Sequence, residues 1–157
     1  MAKKGGKSEP KGPATITNRK AGHEYELLER WEAGLALVGS EVKSLYLGRA
    51  SMVDAYVRIV DGEAWLFSFD IEPYLYTSAW KPERRRDRKL LLHKSEIRLI
   101  QRRSEEKGLA LVPTKIYFKG RRAKVEIALA RGKKTYDKRE SLKEKDQARA
   151  RARGFEE

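Results

Sequence analysis

An alternating apolar pattern on both sides of a turn constrains this chain more than any other feature. Apolar side chains occupy every second position over residues 53–59, and aromatic side chains resume the alternation over residues 65–69. Between the two runs, Asp61 and Gly62 form a dipeptide typical of two-residue β-hairpin turns. The pattern therefore predicts an antiparallel hairpin.

Two further strands are predicted near the end of the chain. Every second side chain of residues 122–130 is apolar, and residues 109–119 alternate in a similar way across a turn at Gly120. Pro113 lacks a backbone N–H, so it implies an edge position or a bulge. Earlier in the chain, residues 25–31 form a possible first strand. Ala33 and Gly34 could be a bend before a buried continuation.

Two short helices complete the predicted elements. Ser40 has the composition of an N-cap for residues 41–47, which Gly48 would terminate. Residues 94–107 predict a second helix with Gly108 as its cap. The fold class is therefore mainly β with short helices. A helix between strands favours an OB-type closed β-barrel over a β-sandwich.

The amino-acid composition narrows the classes of protein to which this chain could belong. The chain has 157 residues, of which 39% are hydrophobic, enough for one modest core. It contains no cysteine, which excludes disulfides and thiolate zinc sites. The absence of a long apolar run or a signal-like start predicts a cytoplasmic protein that does not enter membranes.

The positive charge is concentrated in three segments. The formal net charge is +13, of which residues 1–20 carry +5, residues 81–90 carry +4 and residues 131–157 carry +4. Residues 1–17 are rich in Lys, Gly and Pro and are predicted to be a disordered basic N-terminus. Residues 132–157 lack an apolar stripe, so we expect a tail that is disordered alone and helical on a partner. Residues 18–131 would form the folded domain.

The sequence offers little for catalysis, cofactors or metals. The two histidines, His23 and His93, lie seventy residues apart without a metal-ligand pattern. A segment at Gly132 superficially resembles a P-loop but has Ile127 where that motif requires glycine. Four glutamates between residues 24 and 32 could serve acid–base catalysis, although alternating carboxylates usually form a solvated face. We therefore expect no metal, no cofactor and no enzymatic activity.

The basic run at residues 84–89 favours nucleic acid as the partner. Guanidinium groups bind phosphates in a bidentate manner and stack on exposed bases. The alternative is a loop that only promotes solubility. Tyr74, Tyr76 and Trp80 precede this loop and could stack on bases or close the barrel. Tyr136 among the tail lysines gives another phosphate-binding and stacking composition.

Specific strings resemble the SmpB family, the protein partner of transfer-messenger RNA. They run in order from residue 18 to about residue 140. The matching strings are Asn18-Arg19-Lys20-Ala21, Trp31-Glu32-Ala33-Gly34, Gly39-Ser40-Glu41-Val42-Lys43-Ser44-Leu45, Arg88-Lys89-Leu90-Leu91-Leu92-His93-Lys94, Lys124-Val125 and Gly132-Lys133-Lys134-x-Tyr136-Asp137-Lys138-Arg139. Departures occur at Asp70, Ser40 and Tyr46, where the family usually has other residues.

The resemblance implies a function and a set of site residues. Family members bind the tRNA-like domain of transfer-messenger RNA and deliver it to stalled ribosomes, where the tail enters the empty mRNA channel of the small subunit. We expect the same role for this chain, as a monomer. The implied RNA-binding residues are Asn18, Arg19, Lys20, His23, Glu32, Lys43, Arg88, Lys89, Leu91 and Lys124. The implied ribosomal tail residues are Gly132, Lys133, Lys134, Tyr136, Asp137, Lys138 and Arg139. The alternatives are a generic OB-type RNA chaperone and an RNA-processing enzyme that uses the glutamates.

Overall fold

A computed structural model of the protein describes residues 13–76, 81–106 and 108–133. Within them lie three helices and nine strands. In chain order these are β1 Ile16–Thr17, α1 Arg19–Glu24, β2 Tyr25–Leu35, α2 Gly39–Tyr46, β3 Ala50–Ser51, β4 Tyr56–Val60, β5 Glu63–Phe67, β6 Asp70–Ile71, β7 Arg88–Leu91, α3 Lys94–Ser104, β8 Leu109–Lys119 and β9 Arg122–Gly132. The chain is thus mainly β with short helices, as predicted.

Six of the strands form a closed ring. Their order is β8-β4-β5-β7-β2-β9, and β9 pairs back onto β8. All these pairings are antiparallel. β1 pairs with β8 through Ile16 and Thr17, which corrects the expectation that residues 1–17 lack structure throughout. The remainder of that predicted segment, residues 1–12, lies outside the described residues, and so does most of the tail.

The predicted hairpin is formed by β4 and β5. Asp61 and Gly62 both have positive φ, 51° and 75°, as a type I′ turn requires. The register pairs Val57 with Leu66, and these two side chains are buried in the core. The aromatic residues of β5 therefore lie on the opposite, outer face of the ring, where they are half-buried.

The predicted bend in the first strand is wrong. β2 continues through Ala33 and Gly34 because Gly34 is paired on both sides, with Leu91 of β7 and Lys124 of β9. The glycine allows a close approach: a Cβ at Gly34 would lie 3.1 Å from the Cβ of Leu91. β2 is therefore one 11-residue strand that connects two arcs of the ring.

The last two strands agree with the sequence pattern. The core face of β9 consists of Ala123, Val125, Ile127 and Leu129, all buried. The register between β8 and β9 shifts after Pro113, which confirms the bulge alternative for that residue. A second small cluster forms outside the ring, where α1 and neighbouring apolar side chains cover β9. Its buried members are Ala21, Val112, Ala128 and Ala130.

The predicted helices are present, with one different start. α2 begins after Val38, not Ser40, because the Glu41 carboxylate accepts a hydrogen bond from the Val38 N–H at 3.1 Å. Gly48 has φ +75° and ends the helix as predicted. α3 ends at Ser104, before the predicted residue 107, and buries Ile97 and Ile100. No helix in the described part of the chain is long and apolar enough to cross a membrane.

Candidate nucleic-acid interface

Four of the predicted RNA-binding residues line one groove. Glu32, Lys89, Leu91 and Lys124 come from β2, β7 and β9 and meet beside the N-terminus of α3. The groove has a volume of about 540 Å³. Its other lining residues are Gly34, Gly62, Glu63, Leu90, Leu92, His93, Lys94, Glu96 and Ile97. Residues far apart in the sequence thus form one concave surface, hereafter the β7 groove.

Leu91 lines this groove in a position that is available because Gly34, its partner on β2, has no side chain. Leu91 is 55% exposed although it belongs to a strand of the ring. Gly34 lies opposite it, and the space that a Cβ would need is already occupied by Leu91. The glycine therefore fixes the position of an exposed apolar contact beside cationic side chains.

Glu32 is a fixed anionic acceptor. Its carboxylate accepts hydrogen bonds from the Tyr117 hydroxyl and from Lys119 Nζ, the latter at 3.0 Å. These hydrogen bonds, Tyr117 first and Lys119 second, lower the pKa of Glu32. Burial and, secondly, the bond to Glu32 raise the pKa of Tyr117 to about 12. Glu32 is therefore ionised at neutral pH and oriented by two partners.

Sequence reasoning missed Tyr117 and Lys119. Both lie on the outer face of β8, next to the outward-facing side chains of β9, and Tyr117 pairs directly with Lys124. The ammonium of Lys115 lies 5.5 Å from the centre of the Tyr117 ring. The alternating pattern of β8 indicates that Tyr117 and Lys119 face outward, because they fall between the residues of its apolar face. Only the strand pairing places them beside Glu32.

One predicted cation of the groove, Lys89, has a partner of its own. Lys89 Nζ lies 3.0 Å from a carboxylate oxygen of Glu63, and both side chains are more than 40% exposed. An exposed pair of this kind contributes about 0–1 kcal/mol, so a phosphate can replace Glu63 at low cost. His93 caps the start of α3, and Lys94 follows it on the rim of the groove.

A second group of predicted residues surrounds α1. The Asn18 Nδ2 donates to the Pro113 carbonyl at 2.8 Å, and its Oδ1 accepts from the Ala21 N–H at 3.3 Å. Asn18 therefore holds α1 against β8. Lys20 is half exposed and lies 3.9 Å from Glu24. Asn18 and Lys20 line a second cavity, of about 340 Å³. The α1 group also contains Arg19, which is exposed, and His23, which is half-buried.

The two groups lie at opposite ends of β2. The strand starts at Tyr25, directly after α1, and reaches Glu32 after a rise of about 23 Å. An extended or folded RNA is long enough to contact both. Lys43 is separate: it projects from α2 with its ammonium 5.3 Å from the Tyr74 ring centre, and Tyr74 packs edge-to-face on Tyr76. Trp80 lies outside the described residues.

The basic run at residues 84–89 has a structural role that the sequence did not suggest. Arg84 pairs with Asp70 at 2.9 Å and Arg85 with Asp54 at 3.5 Å. Arg88 is fully buried. The prediction that Arg88 contacts RNA therefore needs correction, because its guanidinium is removed from the surface.

The Arg88 guanidinium donates its hydrogen bonds to groups inside the protein. It donates to the buried carboxylate of Glu41, at 2.8 Å from Nε, and to the carbonyls of Phe69, Arg84 and Arg86. Arg86 binds the same carboxylate. Glu41 therefore joins α2 to the start of β7 and to the residues just before it, and Arg86 and Arg88 are structural.

Two of the predicted tail residues belong to the folded body. Gly132 is the last residue of β9 and pairs with Tyr25. The Lys133 N–H donates to the Glu24 carbonyl at 2.9 Å, and its Nζ donates to the Gly22 carbonyl at 3.2 Å. The predicted boundary after residue 131 is thus two residues early. Lys134, Tyr136, Asp137, Lys138 and Arg139 lie outside the described residues.

Comparison with known proteins gives consistent matches. The family model described as SmpB protein matches residues 15–157. An SsrA-binding protein of Carboxydothermus hydrogenoformans is 52% identical over 84% of this chain and 89% of its own length. One from Solidesulfovibrio magneticus is 54% identical over 87% and 88%. A chain in the solved structure described as "tmRNA-SmpB: a journey to the center of the bacterial ribosome" is 50% identical, with a TM-score of 0.66, and the match covers 77% of this chain and 85% of that one.

Proposed function

Because this chain belongs to the SmpB family, we propose that it binds the tRNA-like domain of transfer-messenger RNA and delivers it to stalled ribosomes for trans-translation. The family match over residues 15–157 carries this proposal. The relatives are SsrA-binding proteins, and the structural neighbour is a tmRNA-SmpB complex of the ribosome. The protein would act in the cytoplasm as a monomer.

The ring of strands is proposed to be an OB-type barrel. The supporting observation is the position of α3, which follows β7 and precedes β8, with buried Ile97 and Ile100 against the ring. Arg103 on α3 forms an ion pair with Glu29 of β2, which ties the helix to the ring. OB-type barrels bind oligonucleotides on their outer surface.

Two surfaces are proposed to hold the RNA. The β7 groove offers Lys89, Lys124 and the exposed Leu91, with Glu32 as an oriented hydrogen-bond acceptor for amino or ribose hydroxyl groups. The α1 group offers Arg19, Lys20 and His23 for phosphates. Phosphate contacts make binding depend steeply on salt. Lys43 would contribute a separate contact beside Tyr74.

A binding role fits the glutamates better than catalysis. Three of the four carboxylates that the sequence offered for acid–base chemistry have different partners: Glu24 pairs with Lys20, Glu29 with Arg103, and Glu32 with Tyr117 and Lys119. General acid–base catalysis would use carboxylates held around a common substrate position. We therefore propose that the protein is not an enzyme and needs no cofactor.

The tail is proposed to act on the ribosome. The residues after Lys133 would enter the empty mRNA channel near the decoding centre and become helical there. The resemblance of the string from Gly132 to Arg139 to the family, whose model matches through residue 157, supports this role. The attachment of Lys133 to α1 gives the tail a defined starting point on the body.

A competition gel shift tests this division of labour. The tRNA-like domain of transfer-messenger RNA competes with ordinary tRNA for the wild type, for Lys124→Ala and for a truncation after Lys133 that keeps β9 complete. We expect Lys124→Ala to weaken binding by roughly 5- to 30-fold, as loss of a charged hydrogen bond or phosphate contact does. The truncation should retain RNA affinity and abolish tagging of stalled peptides. Arg98→Gln, on the exposed side of α3, is the matched control.

Equal affinity of the wild type for both RNAs would contradict the proposed specificity. Loss of most RNA affinity in the truncated protein would contradict the separate role of the tail.

A further inference from the structure

The outer face of the β4–β5 hairpin carries a strip of aromatic and cationic side chains. The register places Tyr56 opposite Phe67 and Arg58 opposite Trp65. The Tyr56 and Phe67 rings are stacked, with centroids 5.2 Å apart and planes 15° from parallel. The Arg58 guanidinium carbon lies 5.1 Å from the Tyr56 centroid. We call these four residues the hairpin strip.

The rings of the strip do not serve the core. Tyr56 is 37% exposed, and neither Trp65 nor Phe67 is among the partly buried residues that pack against the core cluster. The core positions of β5 are taken by Ala64 and Leu66, both fully buried. Isolated apolar residues on a surface are ordinary, but three adjacent rings form a contiguous patch of the kind that marks a binding surface.

The hairpin strip connects the two surfaces proposed for RNA. Trp65 pairs with Lys89 on the neighbouring strand β7, and Lys89 lines the β7 groove. At the other end, Tyr56 lines the cavity that contains Asn18 and Lys20. The strip spans two strand spacings, roughly 10 Å, between these points. An RNA segment that contacts both surfaces around this side of the ring passes over the strip.

The charge of the strip favours RNA over an acidic or apolar protein segment. Arg58 has no ion-pair partner within residues 13–76, 81–106 and 108–133, and the carboxylate of Glu63, on the neighbouring strand of the hairpin, is held by Lys89 at 3.0 Å. Aromatic rings beside an unpaired arginine bind unpaired bases by stacking, whereas an apolar protein segment would leave the guanidinium without a partner and an acidic segment would not use the rings.

We propose that the hairpin strip is a stacking platform for unpaired RNA bases, with Trp65 and Tyr56 as the stacking rings and Arg58 as the cation. This inference rests on the proposed RNA-binding function and adds a third contact surface to it. Stacking tolerates any base, so the strip would recognise single-stranded character and not sequence.

Substitutions that remove the aromatic ring of Trp65 but keep an apolar side chain test the proposal. Affinity is measured for a single-stranded RNA of about ten nucleotides and for a duplex of the same sequence. We expect Trp65→Leu to weaken binding of the single strand by roughly 5- to 100-fold, the range for loss of one stacked base. Trp65→Phe should restore affinity, and Arg58→Gln should weaken it. Val60→Ala on the same face of β4 and Arg98→Gln on α3 are the controls.

The outcomes distinguish the strip from the broader function. Wild-type affinity of Trp65→Leu, together with weakened binding by Lys124→Ala, would overturn the strip and leave the proposed function intact. Absence of RNA binding by the wild-type protein would overturn both.

Ultraviolet crosslinking of the wild-type protein to the single strand provides a test without variants. Crosslinked peptides should contain Tyr56 or Trp65, and crosslinks confined to the β7 groove or the α1 group would overturn the proposal. Equal loss of single-strand and duplex binding by Trp65→Leu would also overturn it.

Discussion

Replacement of Arg88 by methionine should destabilise the protein strongly although methionine keeps an unbranched apolar stem at this buried position. Arg88 is fully buried and Glu41 is 2% exposed, so the substitution removes a cation from beside a carboxylate that water cannot reach. It also removes the donors to the carbonyls of Phe69, Arg84 and Arg86. Breaking a buried ion pair on one side costs about 3–5 kcal/mol.

The lower end of that range applies here. Arg86 remains bound to Glu41 after the substitution, which leaves the carboxylate with one cation. Arg86 is partly exposed, so its own charge stays partly solvated. We therefore expect a loss of about 3 kcal/mol in the free energy of unfolding, which lowers Tm by roughly 6–12 °C for a chain of this size.

Denaturant unfolding of Arg88→Met, Glu41→Gln and the double variant measures this interaction as a double-mutant cycle. The sum of the losses in unfolding free energy of the two single variants should exceed the loss in the double variant, because each single variant leaves one buried polar partner unsatisfied. A loss below about 1 kcal/mol for Arg88→Met would refute the view that the pair is structural.

The lowered pKa of the Glu41 carboxyl predicts that the folded protein loses stability at low pH. Burial alone raises the pKa of Glu41, but hydrogen bonds from Arg86, the Val38 N–H and Arg88 outweigh it, so the pKa lies below its ordinary value of 4.5. A lowered pKa in the folded state adds stability above pH 4.5 that is lost as pH falls through the folded value. Glu41→Gln should therefore flatten the decline of Tm in acid, and an unchanged decline would show that other groups cause it.

Two smaller predictions concern a turn and a phenol. Gly48→Ala should cost about 1–2 kcal/mol in chemical denaturation because its φ is +75° and a Cβ would lie 3.1 Å from Ala14. Gly22→Ala, in α1 with open space around the position, should stabilise by about 0.5–1 kcal/mol, and equal effects of the two substitutions would contradict the argument. Glu32→Gln should lower the pKa of Tyr117 from about 12, though not fully to 10.0 because burial persists. NMR titration of the tyrosine ring carbons measures it, and an unmoved pKa would show that the hydrogen bond does not act on Tyr117.

The sequence predicts the strands well where one face is apolar and the other polar. β8, β9 and the turn at Asp61 and Gly62 follow from alternation and turn chemistry. It fails at Gly34, where the glycine looked like a bend. Glycine is compatible with a turn and with a close approach between strands, and only the pairing with Leu91 on the neighbouring strand decides between them.

The candidate site shows the same limit in another form. Glu32, Leu91 and Lys124 were identified by resemblance, and no local pattern connects them. Their convergence depends on β2 pairing with β9 on one side and β7 on the other. Tyr117 and Lys119 join Glu32 by way of the β8–β9 pairing, so cross-strand neighbours are invisible until the register is known.

Charge density along the sequence is a poor guide to which cations are free to bind RNA. The run at residues 84–89 has the highest density, yet Arg84, Arg86 and Arg88 are held by Asp70 and Glu41. These carboxylates lie 14 to 47 positions away in the sequence, so a local count cannot register the neutralisation. Arg58, in contrast, is a single cation in an ordinary strand and has no carboxylate partner in the described part of the chain. What decides whether a guanidinium can meet a phosphate or a base is its three-dimensional pairing, and by this criterion Arg58 is a better candidate for an RNA contact than Arg84, Arg86 or Arg88.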